Sequence, residues 1–248
     1  MLTKITKLLL ISSLLFCGFI RPAKAQTQFA GWVGTFQNYK LSSKFGAYFD
    51  IQWRSVDQVR QMHALLIRPG INFYFTPRLT GTVGYALIHQ QRVNAGVEGY
   101  LPEHRIWEQL VFTHKLPHRT TLAHRLRLEQ RYIPRHHPEN GDLVHDGYRN
   151  AHRLRYFFRG IVPLGGEKGA AFTKGLFTAV QNEIFFNLGD ASAVNGKVFD
   201  QNRAYVAVGY RTSKSFDIEV GYMNQYISGA GNASTNNHIA QLATYVRL

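Results

Sequence analysis

Arginine falls on alternating positions in three successive stretches of this chain. Arg125, Arg127 and Arg131 flank Glu129, and Arg149, Arg153, Arg155 and Arg159 follow. Arg105 comes earlier, with Trp107 and Gln109 in the same alternation. Side chains at period two share one face of a β-strand. A guanidinium ladder on such a face has two uses. It can bind carboxylate or phosphate in bidentate fashion, or internal carboxylates and water can neutralise it. Antiparallel folding at Pro117-His118 sets Arg105 near Arg131, Trp107 near Glu129 and Gln109 near Arg127. Folding between the next two stretches sets Glu129 near Arg153 and Arg127 near Arg155.

Other catalytic chemistry finds little support. There is no G-x-S-x-G nucleophile motif, phosphate loop or dinucleotide fingerprint. His136, His137, His145 and Asp146 share the polar segment 133–147, but their spacing matches no metal signature. His124 and His152 fall opposite the arginines. No catalytic residue, metal or cofactor is therefore expected, and an envelope hydrolase stands only as a remote alternative.

The elements that must position the arginines are long alternating strands. In 216–226, Phe216, Ile218, Val220 and Tyr222 oppose Asp217, Glu219, Met223 and Gln225. In 44–56, Phe45, Ala47, Phe49, Ile51 and Trp53 oppose Tyr48, Asp50, Gln52 and Arg54. Similar segments are 28–39, 60–75, 78–91, 103–116, 122–132, 148–162, 173–187, 203–211 and 237–248. Many of them are long enough to cross a bilayer, which a soluble β-sandwich would leave unexplained. Alternate turns are short, and the polar segments 92–102, 133–147, 188–199 and 228–236 are longer, the pattern of an outer-membrane barrel with short periplasmic turns. The Gly-rich segment 163–172 departs from it. The fold expected is all-β: an antiparallel up-and-down transmembrane β-barrel of 10–12 strands. Eleven candidate strands sit awkwardly with the even counts of single-chain bacterial barrels, so 28–39 is expected either inside the lumen or as half of a twelfth-strand hairpin.

The facing follows from cost. Leu126, Leu128, Leu154, Tyr156 and Phe158 oppose the arginines, and an arginine on the lipid side near mid-bilayer costs about 2–4 kcal/mol. The arginines therefore face the lumen. The same parity turns Glu108 outward, which lipid tolerates only near the rim. Glu183, Asp217, Glu219 and Asp50 fall on inward faces of other strands and can reach across a narrow lumen.

The N-terminus places the barrel. Lys4 and Lys7 precede an apolar run from Leu8 to Ile20, and Ala23-Lys24-Ala25 ends it. A basic head, a short apolar core and a small-residue site make a secretory signal peptide, Met1–Ala25, leaving 26–248 as one barrel domain. The one cysteine, Cys17, lies in this leader, so the mature chain has no thiol chemistry. Of the net charge of +14, +10 remains once Lys4, Lys7, Arg21 and Lys24 are removed. Such a charge suits anionic lipid or acidic solutes, and export argues against nucleic acid.

Several motifs carry a family resemblance. They are Arg68-Pro69-Gly70 after an apolar run, His104-Arg105-Ile106-Trp107-Glu108-Gln109, His124-Arg125-Leu126-Arg127-Leu128-Glu129-Gln130-Arg131, and Arg149-Asn150-Ala151-His152-Arg153-Leu154-Arg155-Tyr156. In order and spacing the chain resembles an uncharacterised family of predicted Gram-negative outer-membrane proteins, domain of unknown function 2490. The resemblance implies an outer-membrane barrel and carries no catalytic residues over. The expected partners are outer-membrane lipid and lipopolysaccharide, the outer-membrane assembly machinery, and small anionic solutes. The expected role is structural, with an arginine-rich filled lumen. The alternative is a narrow anion-selective channel.

Overall fold

The computed structural model describes residues 25–117, 119–165 and 170–248. The expected signal peptide lies outside them, except Ala25 itself. Among the described residues the chain forms eleven strands and no helix. They are β1 (Ala25–Lys40), β2 (Phe45–Val56), β3 (Gln61–Thr76), β4 (Leu79–Asn94), β5 (Val97–Lys115), β6 (Thr121–Glu139), β7 (Asp142–Pro163), β8 (Gly175–Leu188), β9 (Phe199–Ser213), β10 (Phe216–Ser228) and β11 (Ser234–Arg247). Each pairs antiparallel with the next, and β1 meets β11 to close the barrel.

The closing pair is parallel. Its register runs from Ala25↔Ser234 to Asn38↔Arg247, and Leu248 N donates to the Asn38 carbonyl at 2.9 Å. An up-and-down chain with an odd number of strands has its first and last strands running the same way, so closure demands this seam. Parallel pairing is slightly weaker per residue, and the length of the β1/β11 register offsets that. Segment 28–39 is thus neither a lumen plug nor half of a missing hairpin. It is wall, and the count is eleven.

Faces follow the alternation. On β10, Val220 is 62% exposed while Glu219 is 1% exposed. Val83, Leu110, Leu126, Val206 and Val208 continue the exposed apolar outer surface. Glu108 does face outward, but in mid-strand opposite Val83 and Leu128 rather than at the rim, with Gln130 Nε2 donating to it at 3.1 Å.

Two expected loops are strand instead. Segment 92–102 is mostly β4 and β5, joined by Ala95-Gly96. Segment 133–147 is mostly β6 and β7, joined by Asn140-Gly141. Both central residues of each turn have positive φ (49° and 82°, 50° and 87°), the left-handed geometry that favours a tight hairpin. His136 and His145 become cross-strand partners in this extension. The segments 189–198 and 229–233 do remain loops.

Inside, two apolar clusters brace the wall. Trp32, Phe177, Tyr205, Met223 and Ile239 centre one. Trp107, Tyr48, Leu66 and Ile88 centre the other. The fully buried Trp107 packs against β3 and β4 because Gly70 and Gly84 leave it room. A Cβ on Gly84 would stand 2.2 Å from the Trp107 ring. This gives Arg68-Pro69-Gly70 a physical reading: Gly70 makes space, and Arg68 turns inward to pair with Asp50.

Candidate functional site

The lumen is crossed by a lattice of ion pairs. Glu129 on β6 accepts from Arg153 Nη2 at 2.7 Å, from Arg155 Nη1 at 2.5 Å and from Arg105 Nη1 at 3.5 Å. Glu183 on β8 accepts from Arg155 and Arg125, each at 2.7 Å. Glu103 on β5 accepts from Arg105 at 2.7 Å, Arg131 at 2.8 Å and Arg92 at 3.0 Å. Arg153 also donates to Asp200 at 2.8 Å. Arg68 binds Asp50 through both Nε and Nη2. Towards the C-terminal end, Arg159 bonds to Glu219, while Arg211 and Arg247 share Asp217.

Register brings the expected residues together. Arg105 faces Arg131, Trp107 faces Glu129 and Gln109 faces Arg127. Across the next pair, Glu129 faces Arg153 and Arg127 faces Arg155. Two placements differ from expectation. Arg149 shares the parity of Arg153 but lies where β7 rises past the barrel, and it is exposed. A second carboxylate, not foreseen from the sequence, joins Glu129 among these arginines. Glu103, two residues before Arg105 on the same face, is fully buried and holds three guanidiniums. The parity that turns Arg105 inward points equally to Glu103. Arg54, Arg68, Arg203 and Asp200 also belong to the site. Each lies on an inward face of its strand, outside the arginine-rich stretches.

The lattice is unbalanced. Eleven inward arginines share seven carboxylates. Two further inward arginines among the described residues, Arg54 and Arg127, pair with no carboxylate. Arg127 donates twice to Gln109 Oε1, at 2.6 and 3.0 Å, and lies 4.3 Å from the Trp107 ring centre. Arg54 donates to Gln52 at 2.7 Å and lies 3.9 Å from the Trp32 ring centre. The aromatic faces offer partial compensation by cation–π attraction.

Two cavities share the lumen. The larger, of about 430 Å³, occupies the half away from the C-terminus. Its wall carries seven arginines (Arg54, Arg68, Arg105, Arg131, Arg153, Arg155 and Arg203) and one acid, Asp200. Loop 189–198 leans over it. Asn195 is buried there, donating to the Ser228 and Phe199 carbonyls at 2.8 and 3.1 Å. At the start of this loop, Asp190 accepts from both Ser192 N and Ser192 Oγ at 2.8 Å, and the Ser192 N–H and hydroxyl hold its carboxyl below the usual carboxylate range. The smaller cavity, of about 110 Å³, lies towards the C-terminal half. Trp32, Arg54, Arg68, Arg155 and Arg203 line both, so these five side chains form the partition between them.

An uncharacterized protein of Methylorubrum extorquens is 25% identical over 204 residues, covering 81% of this chain and 80% of its own length. Among solved structures, a NanC porin covers 83% of this chain and 92% of its own, at 11% identity and a TM-score of 0.45. The model of a protein family of unknown function, DUF2490, matches residues 29–237, and the chain belongs to that family.

Proposed function

We propose that this protein is a structural β-barrel of the bacterial outer membrane, with a lumen shut by ion pairs. The observation that carries the reading is the span of the lattice. Glu129 and Glu183 tie together residues of β5, β6, β7 and β8, and Arg159 reaches from β7 to Glu219 on β10. Links between non-adjacent strands run through the interior, where an open pore would hold water. The exposed apolar outer face and strands of 12 residues or more support residence in a bilayer. The closed wall leaves no unpaired edge, as lipid requires. The leader read in the sequence supports export, and the strand alternation suits a Gram-negative outer membrane. On this reading the outer band meets lipid and lipopolysaccharide, the assembly machinery inserts the chain, and the role is non-enzymatic.

A second reading, a narrow anion-selective channel, is favoured by one observation: guanidiniums outnumber carboxylates along both cavities. Planar-bilayer recording of the purified barrel separates the two. The structural reading expects no stepwise conductance. Steady anion-preferring steps, reduced or reversed by Arg127→Glu with Arg155→Glu, would overturn it in favour of the channel.

A further inference from the structure

The larger cavity has a floor whose charges are incompletely matched, and the geometry points to an anion-binding site there. It would take a small solute bearing a carboxylate or phosphate, held between Arg54 and Arg203 beside Trp32. The site requires no passage through the barrel and is independent of whether the lumen conducts.

Three observations converge on this floor. First, Arg54 has no carboxylate partner among the described residues, and its Nε is buried with no hydrogen-bond partner at all. A buried donor left unpaired is costly, and an entering oxyanion supplies the missing acceptor. Second, the nearest carboxylate oxygen to Arg203 is that of Glu183 at 4.0 Å, the limit of an ion pair, and Glu183 already serves Arg155 and Arg125. The Gln225 amide, oriented to accept, lies 3.2 and 3.3 Å from Arg203 Nη2 and Nε. Neutral amides thus solvate both guanidiniums without neutralising either.

Third, both guanidiniums lie against one indole. Arg54 is 3.9 Å and Arg203 5.1 Å from the Trp32 ring centre. Two like charges held beside one ring repel each other, and an anion between them reverses the sign of that interaction. The forked donors of arginine match the planar carboxylate and the phosphate oxygens alike. The cavity above the floor, about 430 Å³, has room for a small solute and presents a single acid, Asp200, already bonded to Arg153.

The test is calorimetric titration of the purified, folded barrel in non-ionic detergent, with inorganic phosphate and acetate as probes. Saturable binding of at least one probe is expected, weakening as sodium chloride is raised. The Arg54→Gln/Arg203→Gln double variant should bind at least tenfold more weakly, while Arg149→Gln, at the exposed rim, should bind as the wild type does. If the double variant fails to fold, Arg54→Gln alone carries the test, with Arg54→Lys expected to recover only part of the affinity because the fork is lost. Absence of saturable binding of both probes overturns the site. So does binding that persists unweakened in the folded double variant, or in folded Arg54→Gln where it stands alone. Neither result touches the structural reading of the barrel, which the bilayer recording tests separately.

Discussion

Removing the Glu129 carboxylate should loosen the barrel more than any single change on its surface. The side chain is 1% exposed and accepts from Arg153, Arg155 and Arg105. Truncating one partner of a buried ion pair costs about 3–5 kcal/mol, because the other charge stays buried without compensation. Here all three arginines keep a second carboxylate: Arg153 keeps Asp200 at 2.8 Å, Arg155 keeps Glu183 at 2.7 Å and Arg105 keeps Glu103 at 2.7 Å. That places Glu129→Ala near the lower bound, at about 3 kcal/mol. Glu129→Gln preserves shape and one acceptor oxygen and loses only the charge assistance, for about 1–2 kcal/mol. Urea titration of the detergent-solubilised barrel, followed by tryptophan fluorescence, gives both values from the midpoint and slope. Glu98→Ala, at the exposed mouth where Gln61 and Gln91 donate to Glu98, should change stability by no more than about 0.5 kcal/mol. The reasoning fails if Glu129→Ala also falls within that margin, since water rather than Glu129 would then be compensating the arginines.

Gly84→Val should destabilise by about 1–3 kcal/mol through overpacking against Trp107, whereas Gly160→Ala, whose nearest atom would be Leu122 Cδ1 at 3.8 Å, should be near neutral. Equal unfolding midpoints for the two variants would contradict the packing described. The parallel seam is testable by cross-linking. Val33 and Leu242 are outward-facing register partners, so Val33→Cys/Leu242→Cys should form an intramolecular disulfide on oxidation of the folded protein, while Phe29→Cys/Leu242→Cys should not. Equal cross-linking of the two pairs would rule out the register.

Period-two alternation carried most of the architecture. It separates Val220 from Glu219 and Leu126 from Arg127 because one face of each strand is apolar and the other polar for its whole length. It fails where that contrast ends. Beyond the apolar band, β6 and β7 are solvated on both faces, so 133–147 reads as polar loop although it is hairpin. The Asn140-Gly141 pair was the available turn signal there. Arg149 is misplaced for a related reason: parity gives the face of a residue and not its height along the strand. The seam was legible only through the odd strand count, which the expectation of an even number set aside. β1 and β11 are joined by backbone hydrogen bonds between chain ends, and no side-chain pattern records which edges meet. Nor does strand parity reveal the partition between the cavities. It depends on which side-chain tips converge from β1, β2, β3, β7 and β9.

Why the cavities are positive, when most arginines are paired, follows from side-chain length. Asp50, Glu103, Glu129 and Glu183 are short, and all are nearly or fully buried against the wall. The arginines that bind them are longer, and Arg68, Arg105, Arg153 and Arg155 line the larger cavity while these four acids do not. An ion pair built this way is a dipole pointing inward, with its negative end at the wall and its positive end at the cavity surface. Each pair built this way adds to the same potential, and the unpaired charges of Arg54 and Arg127 add to it as well. A low-dielectric wall strengthens that field where water is scarce. Lengthening the acids while shortening the bases would reverse the dipoles at constant net charge. The sign of the lumen is therefore set by which partner carries the longer side chain, as well as by how many of each the sequence contains.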